Sequence, residues 1–481
     1  MNWITKKLLF KGLFLLAIIF LTQKIFAQDP YTPLQLQFIK NQMISQLDTL
    51  GYDVLEGMLS YLSPEESEAL CAQFGWNCQA NNPTTPYGLF LFPHQGDDSY
   101  QAMHWKLAKN EAVVFVGVTP PKCRYYGIVP YIWSRYEDGN EINLFASLGD
   151  TYNNGTMNTS GPNYDTFSKN SVIIMTRDWD TDTAIRQALT HPDIGLSPNI
   201  FNTYGLPITP ALRMGYIRNV SDNFAAFTRL ALFEDEEVGQ SYMDNPPAFI
   251  MKVRPKNRFR ATVPLGQPIL RPAGSGKREQ DMMINGYSLQ EALESLEQGI
   301  RDYYAPQIPT EMPLRIDDIF GFECIEGIPP DIPPFRCLFD NRDTIYNHHL
   351  FDPVLLPDEP STFFMVYGIN HAKTGKVTYH NVSINEFGTD RGVVSIDDRF
   401  FDGSANKYTD HPLKDYLYAM RISRTCSDED APFCYQVSSD PESGITLERS
   451  LYVMFRYYLE LTTGTRPAED EIISDRVLLF D

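Results

Sequence analysis

Five of the eight histidines, His348, His349, His371, His380 and His411, fall in one late region of the chain. Imidazole is the side chain best suited to move protons near neutral pH and a common transition-metal ligand. His371 and His380 stand on either side of Thr374-Gly375, between two strand-like runs, "STFFMVYGIN" and "KVTYHNVSI". Read as an antiparallel hairpin, these runs would hold both imidazoles near one end of a sheet, with Asp397, Asp398 or Asp402 in reach to complete a set. A divalent metal held by His371 and His380 is therefore the expectation for this region, and zinc or copper suits such ligands.

A second constellation begins in "NLFASLGDTYNNGT", residues 143–156. A buried strand ending in Gly-Asp-Ser is one way ester hydrolases present a nucleophile. Such enzymes also need a base and fixed oxyanion donors. Gly368, Asn370 and His371 follow a later strand and could supply them, which makes Asp150, Asn153, Asn370 and His371 the catalytic candidates. Thr151 replaces the expected serine, and its methyl group hinders attack. The late Asp-x-x-His is missing too, because Asp410 stands directly beside His411. Thr151 is accordingly read as a turn residue and not as a nucleophile. The third stretch is "CRYYGIVPYIWSRY" (123–136), where Arg124, Tyr125, Tyr131 and Trp133 form a candidate platform for a small molecule or glycan.

The elements that must position these residues are mostly strands. Residues 112–147 are rich in β-branched and aromatic types. From 171 to 255 the pattern reads β-α-β-β-α-β, the element order of a ferredoxin-like unit. Residues 28–88 read as helical, with a capping box at Ser63-Pro64-Glu65-Glu66 and a helix running to about Phe74. A second capping box at Ser288 opens a helix whose apolar stripe is Leu289, Ala292, Leu293, Leu296 and Ile300, and "EGIPPDIPPF" (326–335) reads as a linker. Leu447, Leu451, Met454, Phe455, Tyr458 and Leu459 suggest a closing helix near 446–462.

The fold class expected is α+β. It has two β-rich mixed domains, the first with the ferredoxin-like series, an N-terminal helical segment and a C-terminal helix. The expected divisions are a signal peptide at 1–27, the helical segment 28–88, a β-rich domain 89–260, a linker region 261–345 with one amphipathic helix, and a second β-rich domain 346–481.

Residues 8–21 are apolar but for Lys11, follow Lys6 and Lys7, and lead to a small residue at Ala27. That is the pattern of a secretory signal cleaved before Gln28, too short to span a bilayer comfortably. The chain is expected to be exported, to the periplasm or outside the cell, with no membrane span once the signal is removed. Six of the seven cysteines form close pairs, Cys71 with Cys78, Cys324 with Cys337 and Cys426 with Cys434, which read as local disulfides in an oxidising compartment. The formal net charge of −21 repels nucleic acid. No family resemblance follows from these residues. Two function classes do: an exported hydrolase acting on an ester or glycan at a site between the two domains, or a non-catalytic binding protein with an aromatic-lined cleft.

Overall fold

The computed structural model describes residues 29–481 apart from 64–65, 67–68, 70–77, 79–80, 84, 95–96, 163–164, 267–268, 317–319, 322–324, 326–336, 338–339, 351 and 429. The segment expected to be a signal peptide, the stretch 326–335 read as a linker and most of the helix expected after Ser63 lie outside the described residues. The reciprocal capping bonds between Ser63 and Glu66 are present.

The protein is α+β and dominated by sheets. In the N-terminal half one large sheet runs, edge to edge, Asn140–Ser147, Cys123–Glu137, Asn223–Phe233, Tyr87–His94, Tyr52–Leu62, Ala248–Pro255, Ala112–Val118, Asn170–Thr176 and Phe201–Gly205. Its last pair is parallel and the other neighbours in this order are antiparallel.

Side chains alternate across a strand, so each strand feeds two cores. Val113, Phe115, Ile173, Met175 and Ile250 enter one. Ala112, Val114, Val116, Val172, Ile174, Phe249 and Met251 enter the other, beneath the helices Pro33–Thr49 and Trp179–Thr190. Burial on both faces is why these strands read as unbroken apolar runs.

Two expectations are corrected here. The segment 28–88 is not helical throughout. One helix, Pro33–Thr49, with a Thr32/Gln35 capping box, is followed by the strand Tyr52–Leu62, which lies inside the sheet. The β-α-β-β-α-β order does occur, from Asn170–Thr176 to Ala248–Pro255, but it does not close as a ferredoxin-like unit. Asn223–Phe233 pairs with Cys123–Glu137 and Tyr87–His94, strands from outside the series. Long-range pairing overrode the local order.

The C-terminal half is a sandwich of two five-stranded sheets. One contains Arg476–Phe480, Phe363–Ile369 and Leu417–Ser423. The other contains Thr344–His348, Leu451–Tyr458, Tyr379–Glu386 and Gly392–Asp397. Phe364, Val366, Met420 and Ile422 face Val382, Ile384, Val453 and Phe455 across the core. The outer face of the first sheet is covered by the helix Leu289–Tyr303. Ser288 caps that helix, and its buried residues are Leu289, Ala292, Leu293, Leu296 and Ile300.

Two further readings are overturned. Phe363–Ile369 and Tyr379–Glu386 do not form a hairpin, because they belong to opposite sheets and residues 370–378 cross from one to the other. The expected closing helix is instead the strand Leu451–Tyr458, with all eight residues buried. Its helical stripe was incidental: Tyr452, Val453 and Tyr457, between the stripe positions, are as apolar and bulky as the stripe itself, which suits a strand buried on both faces.

Cys426 and Cys434 form a disulfide with Cα atoms 5.8 Å apart, Cys78 and Cys337 are each disulfide-bonded, and Cys123 is a buried free thiol. Cys71 and Cys324 lie outside the described residues. Denatured, unreduced protein is expected to titrate one thiol per chain. The Cys426→Ser, Cys434→Ser variant should lose about 2–3 kcal/mol in a urea unfolding curve, the chain-entropy value for so short a loop. An unchanged midpoint would contradict it.

Candidate functional site

His371 lies in the crossover that follows Phe363–Ile369, and His380 is the second residue of Tyr379–Glu386. The crossover carries the chain from one sheet to the other at one end of the sandwich, so both imidazoles meet there. Their ring centroids are 4.9 Å apart and both side chains are fully buried. Between them stands Asp475, the residue before the strand Arg476–Phe480. One ligand atom from each of His371, His380 and Asp475 lies within 4.8 Å of the others, and all three residues are buried.

Within this set His380 Nε2 approaches Asp475 Oδ2 to 2.9 Å, close enough for the carboxylate to act on the imidazole by charge and by hydrogen bonding. His371 Nε2 is 3.7 Å from Asp475 Oδ1, and neither of those two atoms has a partner. Leaving such groups buried and unpaired costs about 1–3 kcal/mol each, so two at one point call for an explanation.

The surroundings of the set are well tied. His371 Nδ1 bonds both oxygens of Glu279, at 2.9 and 3.0 Å. Glu279 also accepts from the Thr374 hydroxyl at 2.7 Å and the Ile473 amide at 3.1 Å. A carboxylate on one ring nitrogen fixes the tautomer and turns the other nitrogen to the cluster, the usual support for a metal-bound histidine. The Tyr457 hydroxyl donates to Asp475 Oδ2 at 3.0 Å. Phe401 and Tyr418 stack on each other beside His380. Gly368 is needed for this approach, since a Cβ there would overlap the Asp475 carboxylate.

Burial pushes the His371 pKa down, but the Glu279 charge and hydrogen bond, with Asp475, more than reverse this and leave it raised. For His380 burial wins over Asp475 and its pKa is lowered. Burial also works to raise Glu279, and His371 with the bonds it accepts leaves it lowered.

The other candidates have different tasks. Asp398 is not a member of the set: its carboxylate accepts from the His380 backbone amide at 3.4 Å. Asp397 holds Arg399 and Asp402 holds Lys373. His349 is a core residue whose Nε2 accepts from the Val453 amide, and burial lowers its pKa to about 4. His348 and His411 accept backbone amides two residues on. Asn370 is buried, bonding the Asp398 carbonyl and the Lys373 amide.

The stretch 147–153 meets the buried segment 340–343 and joins the two halves. Asp340 accepts from the Ser147 amide at 2.8 Å, and Thr151 donates its hydroxyl to Asn341 Oδ1 at 2.9 Å. Arg342 pairs with Asp150 at 2.7 Å. Asn153 donates to Asp343 Oδ2 at 2.8 Å and to the Gly464 carbonyl. No hydrogen bond or ion pair among the described residues joins Asp150 or Asn153 to Asn370, His371 or His380.

The aromatic stretch does not line an open cleft. Tyr131 and Trp133 are buried in the first core, and Tyr125 is buried against Tyr458 of the second half with its hydroxyl on Asp343. Arg124 alone is exposed, 3.8 Å from Asp398. Burial on both faces of Cys123–Glu137 turned an apparent platform into packing.

Sequence reasoning missed Asp475 and Glu279. Gly368 was the available signal, because a glycine inside a buried strand marks a close approach.

No protein-family model matches the chain, and no curated protein matches it. Among solved structures it is similar to a crystal structure of an uncharacterized protein from Burkholderia cenocepacia, at 11% identity and a TM-score of 0.38, over 92% of this chain and 87% of that one.

Proposed function

We propose that this is an exported metal-binding protein whose C-terminal sandwich is closed around one divalent first-row transition ion, held by His371, His380 and Asp475. The observation that carries this reading is the convergence of one ligand atom from each of His371, His380 and Asp475, all buried, with His371 Nε2 and Asp475 Oδ1 left without a hydrogen-bond partner. Two imidazoles and a carboxylate suit zinc, with iron(II) the next best match. Glu279 supports His371 as an outer carboxylate would. A disulfide-bonded, acidic chain fits an oxidising compartment.

Full burial of all three ligands favours an ion that stabilises the fold. A hydrolytic ion needs an open position for water and substrate. Asp150 and Asn153 are engaged in joining the halves, which speaks against an ester- or glycan-cleaving site shared between them and His371. Elemental analysis of protein purified without chelator tests the proposal. About one transition ion per chain is expected, falling below about a tenth in the His371→Ala, His380→Ala variant. A metal-free wild type that refuses added zinc would refute it.

A further inference from the structure

The N-terminal half holds a second feature, apart from the histidine set. A cavity of about 480 Å³ opens where residues 206–222 connect Phe201–Gly205 to Asn223–Phe233. Leu212, Met214, Ile217 and Val220 supply its apolar wall, and Lys109, Arg177 and Arg213 its charge. Arg177 is only 9% exposed. Among the described residues its Nε has no hydrogen-bond partner, and the one hydrogen bond of its guanidinium runs from Nη1 to the Met214 sulfur at 3.9 Å, a weak acceptor.

Among the described residues no carboxylate pairs with Arg177. Asp222 is bound by Arg135, and Glu137 by Arg213. Both acids are therefore committed to other arginines, and Arg177 is left as a nearly buried cation in an acidic protein.

A buried guanidinium without a counter-charge is costly, and a carboxylate is its best-fitting complement, since the two can form paired parallel hydrogen bonds. Apolar walls beside it ask for a hydrocarbon body, and the volume lies in the range of small-ligand pockets. We propose that this cavity binds a small amphipathic carboxylic acid, its head group on Arg177 with Lys109 at the mouth and its hydrocarbon chain along Leu212, Met214, Ile217 and Val220. Burial also pulls the Arg177 pKa below its ordinary value, the direction expected of a cation lacking a partner.

Calorimetric titration of the full-length protein with octanoate, octan-1-ol and inorganic phosphate tests this. Octanoate should bind once per chain and octanol at least about tenfold more weakly. Arg177→Gln should weaken octanoate by about tenfold or more, with part of the loss recovered in Arg177→Lys. Ile217→Trp, at an exposed wall position, should block the cavity and abolish binding without touching Arg177; it also decides the matter if Arg177→Gln does not fold. Four results would each overturn the proposal: no octanoate binding at millimolar concentration, equal binding of octanol, preference for phosphate, or octanoate affinity unchanged in both Arg177→Gln and Ile217→Trp.

Discussion

Asp475→Ala should lower the stability of the protein by about 3–5 kcal/mol, and a strong chelator should do the same to the wild type. In a sandwich of this size that is a fall of about 10 °C in the midpoint of thermal unfolding. The two treatments should not add, because the variant has already lost the ion that the chelator removes. His371→Ala and His380→Ala should behave like Asp475→Ala. Glu279→Gln should retain the ion with an affinity lower by about 10–100-fold, since it only orients His371. Gly368→Ala should resemble Asp475→Ala, because the added methyl displaces the carboxylate. Calorimetric melts with and without chelator give the answer. A wild type indifferent to chelator, with variants that are destabilised all the same, would mean that these residues form a polar cluster and nothing more.

The second large effect concerns Asp343, where the halves meet. Burial raises its pKa from 3.8 to about 7, only partly offset by the Arg271 charge and the hydrogen bonds from Asn153 and Tyr125. The folded protein therefore keeps the Asp343 proton over a range in which the unfolded chain has released it. This contribution to stability is complete below about pH 4 and is lost as the pH rises through about 7. Its full size is on the order of 4 kcal/mol. Asp343→Asn mimics the protonated form and can accept the same two bonds. It should match the wild type near pH 4 and exceed its stability by a few kcal/mol at pH 8. Urea unfolding at the two pH values decides it, and a variant less stable than the wild type at pH 8 would contradict the assignment.

The α+β class could be read from the chain because apolar runs of strand length and the caps at Ser63 and Ser288 are local signals. The partners of each strand could not. Asn223–Phe233 reads as a strand without ambiguity, yet nothing local says that it lies beside Cys123–Glu137 and not within its own βαββαβ series. The same distinction governs the site. His371 and His380 stand out because they are few residues apart in a histidine-rich stretch. Asp475 reaches them only because Arg476–Phe480 pairs with Phe363–Ile369, a contact spanning more than a hundred residues. Glu279 sits in a Pro- and Gly-rich stretch that reads as a connector, and its role depends on three partners far along the chain. The hairpin reading put the two histidines together for a mistaken reason: their strands are not paired, and the crossover between sheets is what joins them.

The most direct test of the central claim is anomalous X-ray scattering from crystals of the protein purified without chelator, with data above and below the absorption edges of iron, copper and zinc. A single peak about 2.0–2.2 Å from His371 Nε2, His380 Nε2 and an Asp475 oxygen is predicted. The absence of any peak among these three side chains in crystals soaked with zinc would contradict the account.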